Sequence, residues 1–389
     1  MPVKNIVLLG ATGSIGDSTL KVVRRHRDRL RLPAVAAHSR YRELAGIARE
    51  FDVAHVAIFD PKAAAEARAS GLFAPHVRIV EGIDGLIEVA TLPEADLVVT
   101  AVVGTTGLRP TLEAIRARKA VALASKEILV LAGKFVMAEA ARHGVPILPM
   151  DSEHNAIFQC LHGEPKRFVD RLILTASGGR FLDATPEQLR DVTPEQALRH
   201  PNWTMGPKVT VDSSTMANKG LELIEARWLF DLPEERIDIV VHPQSIIHSM
   251  VRFVDGSLLA HLSPPSMTFA IQHCLFHPER AEAVSPPLDF TQALRLDLRP
   301  PDYARFPCLR LAREASKAAG VAPAVFNAAN EVAVADFLAG RIPFTGIPEM
   351  VERTLAALPN REPGSLDDVL AADAQARSLA RTFSASLAR

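Results

Sequence analysis

A chain of 389 residues is too long for a single core and is expected to divide into two or three domains. Apolar residues make up 48% and charged residues 23%, the profile of a soluble globular protein, and a formal net charge of −1 excludes a general nucleic-acid binder while leaving room for a local anion site. The three cysteines, Cys160, Cys274 and Cys308, form no CxxC pair, so neither a disulfide framework nor a zinc-thiolate site is expected, and a reducing cytoplasm fits.

The first apolar run, Ile6 to Leu9, is too short for a signal h-region or a membrane span. It is the first of seven β-rich runs: "NIVLLG", "PAVAAH", "HVAIFD", "VRIVEG", "DLVVTAVVG", "KAVALAS" and "VPILPM". Helical patterns lie between several of them, as at Leu108 to Arg118 and Gly133 to His143. Continuous apolar strands joined by helices predict an α/β, doubly wound parallel sheet over residues 1–150. The loop after the first run, "GATGSIG", spaces Gly10, Gly13 and Gly16 as GxxGxxG and opens a helix. Such glycines let backbone approach a pyrophosphate at a helix N-terminus, and Thr12 and Ser14 add hydroxyls; the alternative is a tight turn with no ligand. The second strand ends in His38-Ser39-Arg40 with no acid. An arginine among polar neighbours suits a 2′-phosphate and favours NADP over NAD; the alternative is an ordinary surface loop.

The seventh run leads into "PMDSEHNAI". In an extended segment Asp151 and Glu153 share one side and Ser152 faces the other. Two hard oxygen donors at the carboxyl edge of a parallel sheet suit Mg²⁺ or Mn²⁺, and solvated helix-start acids are the alternative. Lys126 in "LASKE" falls on the same edge.

Beyond Asp151 the pattern becomes α+β, and a second domain with antiparallel strand pairing is expected over 151–277, the catalytic domain if the carboxylates and the polar helix face within it form the site. "FVDRLILTAS" reads as a strand that ends in the Ala176–Gly179 turn, a second candidate anion nest. Two "TPEQ" segments, at Thr185 and Thr193, read as capped starts of short helices. The loop 199–208, "RHPNWTMGPK", holds Trp203 and reads equally as a lid or as a buried anchor. A helix over 215–230 places Asn218, Lys219 and Glu222 on one face and Met216, Leu223, Ile224 and Trp228 on the other. Ser213 and Ser214 then stand just before that helix, where an anion is favoured. Asp255-Gly256 predicts a hairpin between two apolar strands. A proline-rich linker is expected over 278–308 and a helical bundle over 309–389.

The segments "GATGSIGDSTL", "SKE", "MDSEH", "ASGG", "HPNWTMGPK", "VDSSTMANKGLE", "VHPQSIIHSMV" and "NAANE" resemble the 1-deoxy-D-xylulose 5-phosphate reductoisomerase family along nearly the whole chain. The resemblance implies that Asp151, Glu153 and Glu222 bind one divalent cation, Mg²⁺, Mn²⁺ or Co²⁺. It implies that Ser177, Ser213, Asn218 and Lys219 hold a substrate phosphate, with His200 nearby. Ser152 and Lys126 contact the hydroxyl and carbonyl region, and Trp203 closes over the substrate. Thr12, Gly13, Ser14 and Ile15 cradle the NADPH pyrophosphate, Gly206 approaches the nicotinamide end, and Ser125 and Glu127 join His38, Ser39 and Arg40 on the cofactor side. It also implies a homodimer acting on a small sugar phosphate, with no nucleic acid and no membrane. The chain departs from the family pattern at His38-Ser39-Arg40, where Gly-x-Asn is common, and at Ser125, where Asn is common. Two other readings are a metal-assisted NADP dehydrogenase of another phosphorylated hydroxy-ketone and a nucleotide-sensing scaffold without turnover.

Overall fold

The computed structural model describes residues 3–203 and 205–387. Thr204 in the 199–208 loop, and the first and last two residues of the expected terminal domains, lie outside the described residues. By internal contacts the chain gathers into two units. One comprises Met1–Ile128, Phe135–Asn155 and Ser266–Pro287; the other comprises Leu129–Lys134, Ala156–Pro265 and Leu288–Arg389.

All seven apolar runs of the first 150 residues become strands of one sheet in the first unit. They are β1 (Lys4–Leu9), β2 (Leu30–Ala37), β3 (His55–Ile58), β4 (Arg78–Glu81), β5 (Leu97–Thr100), β6 (Ala120–Leu123) and β7 (Ile147–Pro149). Every pairing is parallel, in the order β4-β3-β2-β1-β5-β6-β7. Ile6 to Leu9 are fully buried, which is why that part of β1 is continuously apolar rather than alternating. The chain passes from β1 to β2 on one side and returns to β5 on the other, so a topological switch point lies at the carboxyl ends of β1 and β5. The helix Met267–Phe276 also belongs to this unit and packs on Ser14–Arg25. Lys4 Nζ fastens its end by donating to the carbonyls of Leu275 and His277 at 3.0 and 3.2 Å. No local pattern marks this return, since the residues bonded by Lys4 lie 271 and 273 positions away.

The second unit is built on β8 (Val169–Ala176), β9 (Ile237–Val241), β10 (Ile247–Phe253) and β11 (Leu258–Leu262), ordered β11-β10-β8-β9. The β10–β11 hairpin turns at Asp255-Gly256 as expected. The pairing is mixed, however: β10 is antiparallel to β8 and β11, while β9 lies parallel to β8. Both "TPEQ" segments form complete capping boxes, at Thr185 and Thr193. The C-terminal bundle consists of Pro307–Ala318, Ala322–Leu338, Gly346–Ala357 and Leu366–Leu387. Its first helix packs on Ala217–Phe230, so closely that a Cβ on Gly220 would lie 2.4 Å from the Cβ of Ala312.

Two local expectations are corrected. Asp151 does not enter an extended segment. The Asn155 N–H donates to the Asp151 carbonyl at 2.8 Å, and Ser152–Cys160 is a helix, so strand alternation does not govern Ser152 and Glu153. The expected helix over 215–230 is two helices, Pro207–Ser214 and Ala217–Phe230, separated by Met216 at φ +62°. Ser213 and Ser214 therefore close the earlier helix, and Asn218 and Lys219 occupy the first turn of the later one.

Candidate functional site

In the first unit the glycine loop is shaped by backbone contact. Gly10 sits at φ +95°, and a Cβ there would come within 2.3 Å of the Ala101 carbonyl oxygen. A Cβ on Gly16 would meet the carbonyl oxygens of Gly10 and Ala11 at 2.4 Å. The loops after β1 and β5 thus touch at the switch point, and the first helix turn lies tight against its own loop. Gly13 is the N-cap of Ser14–Arg25, with no side-chain cap bond. The N–H groups of that first turn lack acceptors within the helix, as at any helix start, and an anion satisfies them. Thr12, Gly13 and Ile15 are partly buried and Ser14 is exposed. These residues fit a dinucleotide pyrophosphate.

His38, Ser39 and Arg40 are exposed just past β2. Arg40 pairs with Glu43 at 3.2 Å, so it is anchored on the helix Tyr41–Phe51 that it precedes. Ser125, at the end of β6, is buried and donates to the Val102 carbonyl at 2.5 Å, joining the β5 and β6 loops. The next residues, Lys126 and Glu127, are also buried.

Lys126 Nζ lies 2.5 Å from Asp151 Oδ2. Burial pushes the Asp151 carboxyl up, but the charges of Lys126 and His154 and hydrogen bonding with Glu153 and Lys126 outweigh it, and the group stays below the usual carboxylate range. Asp151 is therefore ionised at neutral pH, as a cation ligand must be. The Ser152 hydroxyl donates to Glu153 Oε2 at 2.5 Å. His154 and Asn155, which were not selected from the sequence, are fully buried in the same turn. Asn155 Nδ2 donates to the Pro149 carbonyl at 2.9 Å and lies 3.2 Å from His273 Nδ1, pinning the helix start that carries the acids. Reading 152–160 as a helix would have placed His154 one turn from Asp151.

In the second unit His200 gathers two serines. Its Nε2 lies 3.1 Å from Ser177 Oγ and 3.1 Å from Ser213 Oγ. Its Nδ1 accepts from the backbone N–H of Asn202 at 3.1 Å and of Trp203 at 3.0 Å. Both Nδ1 contacts are donors, so the neutral ring carries its proton on Nε2, toward the serines. Burial pushes the His200 pKa down, favouring that neutral form. Gly179, at φ +69°, makes the arrangement possible, because a Cβ there would come 2.4 Å from the Ser213 carbonyl oxygen.

The polar face of Ala217–Phe230 is buried, not solvated. Lys219 and Glu222 are both nearly inaccessible and form an ion pair, and Asn218 Nδ2 donates to Glu222 at 2.5 Å. On the other side Leu223 and Ile224 are core, whereas Trp228 is only partly buried and lies against Gly133. Trp203 is also partly buried, edge-on to His248 at 6.2 Å. Its neighbour Asn202, another residue missed in the sequence, ties the loop to the Pro243 carbonyl at 2.6 Å and to Ser245 Oγ at 3.2 Å. Gly206 is exposed and caps Pro207–Ser214. No described helix is long and apolar enough to cross a membrane.

A parallel sheet with a glycine-lined helix start at its switch point defines a nucleotide-binding α/β class, and the Ser177–His200–Ser213 cluster and the buried Asn218–Lys219–Glu222 face add two groups of polar side chains. Comparison with known proteins makes the assignment specific. Residues 6–133 match the family model for 1-deoxy-D-xylulose 5-phosphate reductoisomerase, residues 147–230 that for its C-terminal domain, and residues 262–379 that for the DXP reductoisomerase C-terminal domain. A 1-deoxy-D-xylulose 5-phosphate reductoisomerase of Geobacillus kaustophilus is 52% identical over 381 residues, covering 98% of this chain and 99% of its own. One from Cupriavidus necator is 50% identical over 390 residues, covering 98% of each. The Zymomonas mobilis enzyme in complex with NADPH superposes with a TM-score of 0.92 at 45% identity over 100% of both chains. A DOX-P reductoisomerase in complex with NADPH, fosmidomycin and magnesium gives 0.93 at 41% identity over 99% of both. The chain belongs to the 1-deoxy-D-xylulose 5-phosphate reductoisomerase family.

Proposed function

We propose that this chain rearranges 1-deoxy-D-xylulose 5-phosphate and reduces the product with NADPH to 2-C-methyl-D-erythritol 4-phosphate, a step of isoprenoid precursor synthesis that requires one divalent cation. The observation that carries this reading is the Ser177–His200–Ser213 cluster, in a chain about half identical to its named relatives from end to end.

Ser177, Ser213, Asn218 and Lys219 bind the substrate phosphate. His200 presents its Nε2–H there as a neutral donor, while the N–H groups of Asn202 and Trp203 hold the ring in that tautomer. Asp151, Glu153 and Glu222 would hold the cation, which when bound would supply Lewis-acid stabilisation of negative charge on the substrate. Lys126 keeps Asp151 ionised in its partly buried place and, with Ser152, donates toward the substrate hydroxyls. Thr12, Gly13, Ser14 and Ile15 bind the pyrophosphate of NADPH, which supplies the hydride. Gly206 leaves room at the nicotinamide, Ser125 and Glu127 line the cofactor side, and Arg40 with His38 and Ser39 meets the 2′-phosphate. Trp203 covers the substrate and limits water. A titration with a metal-chelating phosphonate analogue should change its fluorescence, and the change should vanish in Trp203→Phe.

The chain acts as a homodimer. The edge strand β11 exposes Leu258, Leu259 and Leu262 at 52%, 45% and 38%, an apolar edge that natural sheets cover. Light scattering after gel filtration tests this, and a monomer at micromolar concentration overturns it. A reducing cytoplasm suits its three free cysteines.

The deciding assay is NADPH oxidation with deoxyxylulose phosphate, with EDTA and after Mg²⁺ is restored, followed by carbon-13 NMR of the product. A branched skeleton formed only with metal supports the proposal. An unrearranged, reduced ketone would mean the dehydrogenase reading, and NADPH binding without turnover the scaffold reading.

A further inference from the structure

The helix Pro207–Ser214 carries a carboxylate that none of these roles uses. Asp212 is fully buried. Its Oδ1 accepts a hydrogen bond from Asn330 Nδ2 at 2.8 Å, and its Oδ2 lies 2.9 Å from Lys208 Nζ one turn earlier. Asn330 is itself fully buried, in the "NAANE" stretch of Ala322–Leu338, 118 residues further on.

Each partner leads to a different part of the phosphate pocket. Lys208 is the foot of the 199–208 loop that carries His200 and Trp203. Asp212 immediately precedes Ser213, whose hydroxyl lies 3.1 Å from His200 Nε2. The Asp212 carbonyl accepts from Thr215 Oγ1 at 3.2 Å, in the turn that leads through Met216 to Asn218 and Lys219. Loop foot, serine turn and C-terminal bundle therefore meet on one carboxylate. Burial of an ion pair does not by itself add stability, since apolar groups of the same size do as well. What a doubly held carboxylate adds is a fixed position for the backbone that carries it.

We propose that Asp212 is a positioning residue for the substrate phosphate. Lys208 and Asn330 hold it, and through it the C-terminal helices set where Ser213 and His200 stand. The inference rests on the phosphate-pocket reading above.

The test is Asn330→Ala in the full-length enzyme, compared with Arg377→Gln. Arg377 pairs with Glu331 at 2.8 Å and Asp373 at 2.7 Å in the same bundle, so its loss serves as a stability control. Asn330→Ala should raise KM for deoxyxylulose phosphate about tenfold, with a smaller fall in kcat, and should shift the His200 ring nitrogen resonances. Arg377→Gln should lower Tm and leave KM and those resonances alone. The proposal is overturned if Asn330→Ala lowers Tm as Arg377→Gln does while KM and the His200 signals keep their wild-type values. Should Asn330→Ala not fold, Asp212→Asn keeps the size and the acceptor for Asn330 and is read in the same way. Affinity for inorganic phosphate separates the two levels. If wild type and Lys219→Ala bind it equally, the pocket reading falls and this proposal with it. If Lys219→Ala loses it and Asn330→Ala does not, only the positioning role fails.

Discussion

The two units would hold the proposed anions by different means. In the first, the proposed binding feature is backbone: a helix start capped by Gly13, packed so that Gly10 and Gly16 leave no space for a Cβ. In the second, it is side chains: His200 between two serines, and a buried lysine offset by a buried glutamate. A backbone site depends on the absence of side-chain atoms, whereas a side-chain site depends on partners that balance one another's charge. The two should therefore fail differently under mutation.

The largest effect is expected where a buried charge loses its balance. Glu222→Gln removes both a proposed cation ligand and the carboxylate that offsets Lys219. Turnover should fall by at least about a hundredfold, stability by roughly 3–5 kcal/mol, and NADPH affinity by less than about twofold. Steady-state kinetics, thermal melts and an NADPH titration check all three. A loss of NADPH binding equal to the loss of turnover would dissolve the contrast between the units.

Next in size is the backbone site. Gly10→Ala forces a Cβ into the Ala101 carbonyl at a φ of +95°. The strain should cost about 1–3 kcal/mol or more and weaken NADPH binding, while phosphate analogues bind as before. Calorimetry with each ligand gives the answer, and unimpaired NADPH binding would mean that the close approach has no part in the cradle.

Arg40→Ala should be milder, because Arg40 is exposed and already shared with Glu43. The KM for NADPH should rise about fivefold, roughly 1 kcal/mol, and that for NADH should not. An equal rise for both cofactors removes Arg40 from the 2′-phosphate and turns attention to His38 and Ser39.

The smallest effect concerns pH. Burial lowers the His200 pKa below its ordinary 6.5, so on acidification the unfolded chain takes up this proton first. The stability held by neutral His200 is present above about 6.5 and is lost as pH falls from there through the folded-state value. NMR titration of the ring should give a midpoint below 6.5 without ligand, and His200→Gln should lose that part of the pH dependence. A midpoint above 6.5 would show that the ring is held as a cation.

Much of this molecule is legible locally. The seven parallel strands follow from short apolar runs, buried in all but the edge strand β4, the two short helices from their "TPEQ" capping boxes, and the β10–β11 turn from Asp255-Gly256. These features need only neighbours in sequence. The family motifs likewise pick out the residues proposed for both candidate sites, because reaction chemistry restricts residue type at each position.

Tertiary structure decided the rest. Strand alternation misplaced Ser152 because the helix start at Asp151 is pinned by Asn155, which reaches His273 118 residues away. A single helix over 215–230 is a fair reading of its composition, yet Met216 breaks it, and Ser213 turns back to meet His200 and Gly179. A polar face of Asn218, Lys219 and Glu222 suggests solvent by pattern alone, but packing buries it and makes its charges pair. The return of Met267–Phe276 to β1, and the bond from Asn330 to Asp212, have no local signature. Burial and pairing between distant segments depend on which surfaces the whole chain brings together, and residue pattern records only what each segment offers.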